Sequence, residues 1–185
     1  MDSKLKWNLK YKQKLDQLEK LEPNLRIKKV ANYLKGGTAL DLACGLGGNS
    51  VFLARLNYQV LAIDISEVAI QYLQKKAENE NLSIVPVVKD LTEWKDYNQK
   101  YDLVVITYYL DRSLFTRVKN VIKENGYFFM ETYYQVPNHL NTGISDQYKL
   151  KSRELLEVFK DWKVIFFDED ELEGRQTIFC QKRSM

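Results

Sequence analysis

The chain has 185 residues, 45% apolar and 29% charged, the size and balance of one globular domain with a sizeable core. Its net charge of +3 is too small to signal a nucleic-acid partner, and no apolar run nears the roughly 18 residues of a membrane-spanning helix. The opening "MDSKLKWNLK" lacks the apolar core of a secretion signal, and the two cysteines, Cys44 and Cys180, show no metal-ligand spacing, so a reduced, cytoplasmic setting without a resident metal is expected.

From Ser3 to Leu21 the pattern predicts a helix, because Trp7, Tyr11, Leu15 and Leu18 recur on one face. Lys6, Lys10 and Lys14 form a separate basic row. Residues 1–35 carry a net charge of +6 and the remainder −3. Such a segment either steers an anionic substrate or is a solvated helix face. Pro23 interrupts, and a second short helix is expected from Asn24 to Leu34, stopped by Gly36-Gly37.

Strands and helices then alternate. "TALDLA" reads as a buried strand and "GGNSVFLARL" as a helix, with Asn57 as a left-handed stop. "YQVLAID" is the second strand; Ser66 to Asn81 is a helix with Ser66 as its N-cap. "SIVPVV" is a third strand, placed at an edge by Pro86. "YDLVVIT" is the fourth, Asp111 to Glu124 a helix, and "GYFFMETYY" the fifth strand. A polar stretch from Gln135 to Lys149 precedes a helix from Ser152 to Phe159. "WKVIFFD" and "QTIFCQK" follow with no helix between them, joined by the acidic "EDELEG", expected as a solvated hairpin tip. The alternation argues for an α/β fold, a mainly parallel sheet covered by helices on both faces, and the closing hairpin makes one strand antiparallel. Ligands bind such sheets at the carboxyl ends of the strands, near the switch in strand order.

"TALDLACGLGGNS" places a glycine turn at such an end. Gly45 and Gly47 let the backbone turn sharply and approach a ligand. The turn has serine where a dinucleotide fingerprint has its third glycine, and Asp41 would repel a pyrophosphate. A carboxylate there suits a ligand with a cationic part. Asp64, ending the second strand, suits the two hydroxyls of a ribose. Asp90, just past the third, can accept from an adenine amino group, with the Leu91 N–H offered to the ring. Each has a plainer reading: Asp41 as a paired buried carboxylate, Asp64 as a cap for the helix at Ser66, Asp90 as a cap for a short helix at "LTEW".

These residues bring the sequence to a resemblance. "LDLACGLGGNSVFLA" resembles the first motif of the class I S-adenosylmethionine-dependent methyltransferases, acidic-x-Gly-x-Gly-x-Gly, with Asp41, Gly45 and Gly47 in place and Ala43 where the first glycine stands. Alanine is small, so this departure is expected to be mild. "VLAIDIS", "VVKDLTEW" and "YDLVVIT" resemble the next three motifs, and the order of elements resembles that family's Rossmann-like seven-stranded sheet over Thr38 to Lys182. The length, "DLACG" and "LKSRELLEVFKDWKVIFFDED" look most like the small tellurite-resistance-type methyltransferases, which often carry arginine where this chain has Gly48.

The resemblance implies one methyltransferase domain over residues 1–185, with 1–35 as a helical cap and 38–182 as the Rossmann-like core. It implies S-adenosylmethionine as cofactor, with Asp41 by the amino-acid end and Ala43, Cys44, Gly45 and Gly47 passing close to it. Asp64 would hold the ribose, Ile65 would lie against the adenine, and Asp90 and Leu91 would read the adenine edge. Thr107 would lie beneath the sulfonium. "WNLKY" resembles a Trp-x-x-x-Tyr helix that closes over the cofactor in relatives, which makes Tyr11 a candidate contact.

The methyl group of a sulfonium is already activated, so the protein must align a nucleophile and exclude water. A base is needed only if the nucleophile must lose a proton. No Ser-His-Asp or Cys-His set is visible, and Cys44 reads as a small filler. The fourth and fifth strands both end in "TYY", which puts Tyr108, Tyr109, Tyr133 and Tyr134 near the expected methyl site. Aromatic walls favour a planar or polarizable acceptor and can stabilise a sulfonium. Tyr108, Tyr133 and the single histidine, His139, are the catalytic candidates; Tyr109, Arg112 and Tyr134 are the substrate-binding ones, Arg112 for an anionic group. The position after the fourth strand reads "TYYL" and not Asn/Asp-Pro-Pro-Tyr/Phe, which argues against an adenine or glutamine amide target; a small-molecule acceptor is the first expectation. Two other readings stay open: a nicotinamide-dependent oxidoreductase on a similar sheet, and a non-catalytic nucleotide-binding module docking RNA or membrane through its basic helix.

Overall fold

The structure, a computed structural model, describes residues 2–95, 98–136 and 143–184. They fall into two compact units, residues 1–96 and 97–185.

The first unit carries α1 (Ser3–Asp16), α2 (Leu25–Lys29), β1 (Gly37–Leu42), α3 (Gly48–Arg55), β2 (Tyr58–Asp64), α4 (Glu67–Asn79) and β3 (Ile84–Val88). β1 and β3 both pair parallel to β2. The apolar stripe of α1 is its half-buried face, and its lysine row is exposed. The helix ends at Asp16, short of the expected Leu21. The residues beyond it form a link instead: the Asn24 N–H donates to Asn49 Oδ1 at 2.9 Å, which ties the link to the start of α3. α2 is likewise shorter than expected. A single tight turn, Ala31–Tyr33, follows it and leaves Val30 and Leu34 buried. Asn57 has φ 63°, the expected left-handed stop. Ser66 caps α4, its Oγ accepting from the Ala69 N–H at 3.2 Å.

Pro86 sits where an edge strand tolerates it. Ser83 O accepts from Val60 N, and Lys89 N donates to Asp64 O. Backbone polar groups alternate along a strand, so odd-numbered positions of β3 face β2 and Ile84, Pro86 and Val88 face away. Pro86 therefore removes a donor from the row facing away from β2, which discourages further strand pairing.

The second unit carries β4 (Tyr101–Thr107), α5 (Leu114–Val121), β5 (Ile122–Tyr133), α6 (Glu154–Val158), β6 (Lys163–Asp170) and β7 (Arg175–Gln181). β4 and β5 are parallel; β7 runs antiparallel to both β5 and β6. α5 starts later than expected because Asp111 Oδ1 accepts from the Ser113 N–H at 2.9 Å, holding a turn. It ends earlier because Ile122 pairs with Tyr101. α6 begins at Glu154, after Arg153 takes a left-handed φ of 58°. Phe159 anchors the core here, 4.7 Å from Phe128 and 5.3 Å from Trp162 between ring centroids. The hairpin tip is solvated, with Leu172 91% exposed.

Seven strands are described, in the order β3-β2-β1 within the first unit and β4-β5-β7-β6 within the second, mainly parallel with the C-terminal antiparallel hairpin. Among the described residues no helix is long and apolar enough to cross a membrane.

Candidate active site

The glycine turn of the first unit is built by two carboxylates at different depths. Asp41 pairs in register with Ala62, and Asp64 pairs with Val88. Asp64 thus stands two residues farther along the strands than Asp41, and Asp90 two residues past Val88. Asp41 is fully buried. The Ser50 hydroxyl donates to its Oδ2 at 2.6 Å, while Oδ1 has no partner among the described residues. Burial pushes its carboxyl up to about 7, against the Ser50 hydrogen bond and with help from the neighbouring Asp64 charge.

Asp64 ties two turns together. Its Oδ2 accepts from the Gly45 N–H at 2.8 Å and its Oδ1 from the Ser66 N–H at 2.9 Å. Burial raises its pKa, while these hydrogen bonds hold it down. The ribose candidate is therefore also a structural strap, and the capping itself falls to Ser66. The turn is completed by the Cys44 N–H donating to Ile63 O and the Gly47 N–H to Cys44 O, both at 3.0 Å.

Ala43 has φ 56°. The sequence made its substitution for glycine a mild matter of size; the backbone makes it one of conformation, since a Cβ in the left-handed region costs roughly 1–2 kcal/mol. Gly48 also has a steric reason: a Cβ there would collide with the Glu22 carbonyl, so the link after α1 excludes the arginine common in the resembling proteins.

Tyr11 covers the turn from α1. A Cβ on Gly45 would lie 2.7 Å from its Oη. Burial, with Asp64, Cys44 and Asp41 nearby, raises its phenol above the ordinary value. Trp7 stacks on Tyr11 at 5.7 Å between centroids. Asn8 fixes the helix by accepting from Ser66 Oγ at 2.7 Å, and Lys4 pairs with Glu67 at 2.5 Å. The Cys44 thiol is also raised well above its ordinary value, first by burial, which suits a filler and not a nucleophile.

Ile65 is half-buried and Leu91 buried. Asp90 Oδ1 accepts from Thr92 N at 2.9 Å and Thr92 Oγ1 at 2.8 Å, capping the short turn Leu91–Glu93. An open depression lined by Leu61, Ile63, Val87, Lys89, Trp94 and Lys95 contains none of the expected site residues.

In the second unit the "TYY" pairs divide. Neighbours along a strand face opposite ways. Tyr108 and Tyr133 meet, with centroids 5.9 Å apart. Tyr134 is buried and bridges to Leu150; burial, with the carboxylates of Glu169, Glu171, Asp170 and Asp168, raises its phenol. Thr107 and Tyr109 are half-buried. Arg112 is engaged on Glu154, with Nε 2.7 Å from Oε1 and Nη2 2.9 Å from Oε2, and Nη2 also reaches the Lys149 carbonyl at 3.0 Å. Its guanidinium holds this segment, so an anionic substrate would have to compete with Glu154. His139 lies outside the described residues.

Glu131 was missed by sequence reasoning. It is fully buried near the end of β5 and accepts from Tyr108 Oη and Thr177 Oγ1, each at 2.8 Å. The Arg175 Nη1 donates to Tyr108 Oη at 3.0 Å. An acidic residue inside the apolar "GYFFMETYY" was the available signal, the same one that exposed Asp41.

A family model described as "Tellurite resistance protein TehB" matches residues 8–179. A curated protein of Haemophilus influenzae described as "Probable S-adenosyl-L-methionine-dependent methyltransferase TehB" is 28% identical over 147 residues, covering 76% of this chain and 51% of its own length. The chain thus spans about half the length of the curated TehB relatives it matches. The crystal structure of TehB from Haemophilus influenzae has a TM-score of 0.77 at 23% identity, covering 87% of this chain and 63% of that one. A SAM-dependent methyltransferase structure from Aquifex aeolicus has a TM-score of 0.70 at 18% identity, covering 98% and 99%. At those identities the two structures speak for the fold. The narrow resemblance drawn from the motifs holds across nearly the whole sequence, and the chain belongs to the TehB family.

Proposed function

We propose that this chain is an S-adenosylmethionine-dependent methyltransferase that transfers a methyl group to a small-molecule acceptor by in-line displacement. The observation that carries the reading is the buried Asp41 with a carboxylate oxygen lacking a partner, beside Asp64 at a glycine turn. A buried carboxylate with one oxygen left over and no cation paired to it among the described residues calls for a cationic group, which this cofactor has at its amino-acid end. The family match and the names of the curated relatives support the same reading.

The cofactor would supply a methyl group activated on a sulfonium. The chain's part is then binding and alignment. Asp41 serves the ammonium end, with the backbone from Ala43 to Gly47 beside it and Tyr11 as cover. Asp64 takes the ribose through acceptor capacity left beyond its two N–H partners. Ile65, Asp90 and Leu91 form the adenine side, and Thr107 lies by the sulfonium. Tyr108 and Tyr133 form the acceptor's wall and hold its nucleophile in line at about 3 Å with water excluded. In this reading residues 1–35 are the cap and 38–182 the core of one domain.

Calorimetry of the chain with S-adenosylmethionine and with NAD is the direct test. Binding of the first is expected; tight binding of NAD alone would reverse the assignment. A metabolite panel scored for S-adenosylhomocysteine release then finds the acceptor.

A further inference from the structure

We propose that S-adenosylmethionine binds the glycine turn with release of one proton, the cofactor's ammonium group taking the place of a proton held on Asp41. The inference rests on the methyltransferase reading and adds to it how the occupancy of that site is governed.

The groups around Asp41 come from several elements. Asp41 itself lies in β1 and pairs in register with Ala62. From α3 comes Ser50, whose hydroxyl donates to Oδ2 at 2.6 Å and whose backbone N–H also favours the carboxylate. Asp64 comes from the end of β2, Cys44 from the turn and Tyr11 from α1. None of these described residues is a cation. The turn therefore gathers two carboxylates, a thiol and a phenol with no positive charge among them.

Geometry assigns the proton to Asp41. Asp64 is held on both oxygens by backbone N–H groups, Gly45 on Oδ2 at 2.8 Å and Ser66 on Oδ1 at 2.9 Å. Such bonds favour the ionised form. Asp41 is fully buried, and its Oδ1 has no partner among the described residues. A buried carboxylate short of partners and near a second carboxylate is less costly as a neutral acid than as a charge. Its carboxyl is accordingly raised to about 7, first by burial. Burial and the same two carboxylates push the Cys44 thiol and the Tyr11 phenol upward, so both stay neutral and neither exchanges a proton near neutral pH.

A bound cation reverses this balance. An opposite charge within about 4–6 Å favours the ionised form, so the ammonium need not touch the carboxylate to expel its proton. The exchange is balanced: the Asp41 O–H bond breaks with its electron pair left on oxygen, the proton leaves to water, and the ammonium's charge replaces it. The cofactor's amino group keeps its own proton up to about pH 7.7. The empty turn holds the extra proton below about pH 7, and the occupied turn does not. Affinity therefore falls as pH drops below that value and levels off above it. S-adenosylhomocysteine carries the same ammonium, so cofactor and product are held by the same exchange.

The test is calorimetry on the full chain at pH 6 in phosphate and in Bis-Tris, two buffers with different heats of protonation. The difference in heat should correspond to about one proton released per S-adenosylmethionine bound. Affinity in phosphate should be about five- to tenfold weaker at pH 6 than at pH 7.5. S-adenosylhomocysteine, which has the ammonium and no sulfonium, should behave alike. Methylthioadenosine, which keeps the adenine and ribose without the amino-acid end, should bind with no proton released. Asp41→Asn should abolish the release and flatten the pH dependence. On the wild type, the infrared C=O band of a protonated carboxyl should disappear when S-adenosylhomocysteine is added, which decides the matter even if the variant does not fold. Equal heats in the two buffers, or release that persists in Asp41→Asn, overturns the exchange. Release with methylthioadenosine overturns it in favour of the ribose side at Asp64, and release with S-adenosylmethionine alone in favour of the sulfonium. Binding without release removes only the exchange, whereas failure to bind S-adenosylmethionine at any pH removes the methyltransferase reading and the exchange with it.

Discussion

The Gly45 N–H donates to the Asp64 carboxylate at 2.8 Å, so the end of β2 holds the turn that follows β1. A second bond from the same carboxylate, to Ser66 N, fixes the entry to α4. One side chain thus positions two backbone segments and remains the ribose candidate.

Asp64→Ala should weaken S-adenosylmethionine binding at least several-fold, read by calorimetry. It should also lower stability by about 1–3 kcal/mol in urea denaturation, since two N–H groups lose their acceptor. Unchanged affinity with reduced stability would leave Asp64 a strap and nothing more.

Asp41 gives a pH dependence with a definite sign. Its carboxyl is raised from the ordinary range to about 7 by burial. A raised folded-state pKa means the folded chain holds the extra proton. The stabilisation is full below about pH 4, lost as pH rises through about 7, and flat above, with an upper bound of about 4 kcal/mol. Among the described residues the groups acting on or near Asp41 are Ser50, Asp64, Cys44 and Tyr11, none of them a cation. Denaturant titrations of the ligand-free chain across this range should show the decline, and Asp41→Asn should flatten it.

Two small side chains at the turn make opposite predictions. Ala43→Gly relieves a left-handed φ of 56° and should raise stability by about 1 kcal/mol, after the entropy cost of glycine is deducted. Gly48→Ala drives a Cβ into the Glu22 carbonyl and should cost about 1–3 kcal/mol. Thermal melts of the two variants against wild type decide both.

Arg112→Ala removes the bidentate pair with Glu154 and the bond to the Lys149 carbonyl. Hydrogen exchange should quicken across residues 147–154, with cofactor affinity unchanged. Loss of affinity for an anionic acceptor without faster exchange would restore Arg112 to substrate binding.

Much of this is legible in the sequence. The alternation of apolar runs and helical patterns marked every strand, because buried parallel strands are short apolar runs bounded by turns. Asn57 and Ser66 marked helix ends by their own chemistry. Helix boundaries were less legible. α1 stops at Asp16 because the following link is held on α3, a contact between residues 25 positions apart. The four tyrosines looked alike in sequence, yet strand alternation buried Tyr134 and left Tyr108 half open.

The sequence by itself determined the strand–helix order, the glycine turn and the three carboxylates at successive strand ends, since these depend on local pattern and on residues near one another in the chain. Only the tertiary structure decided which groups those side chains hold. Asp64 reaches Gly45 across 19 positions, and Tyr108 reaches Glu131 across 23. Such partnerships arise from strand register and burial, and no local periodicity records them.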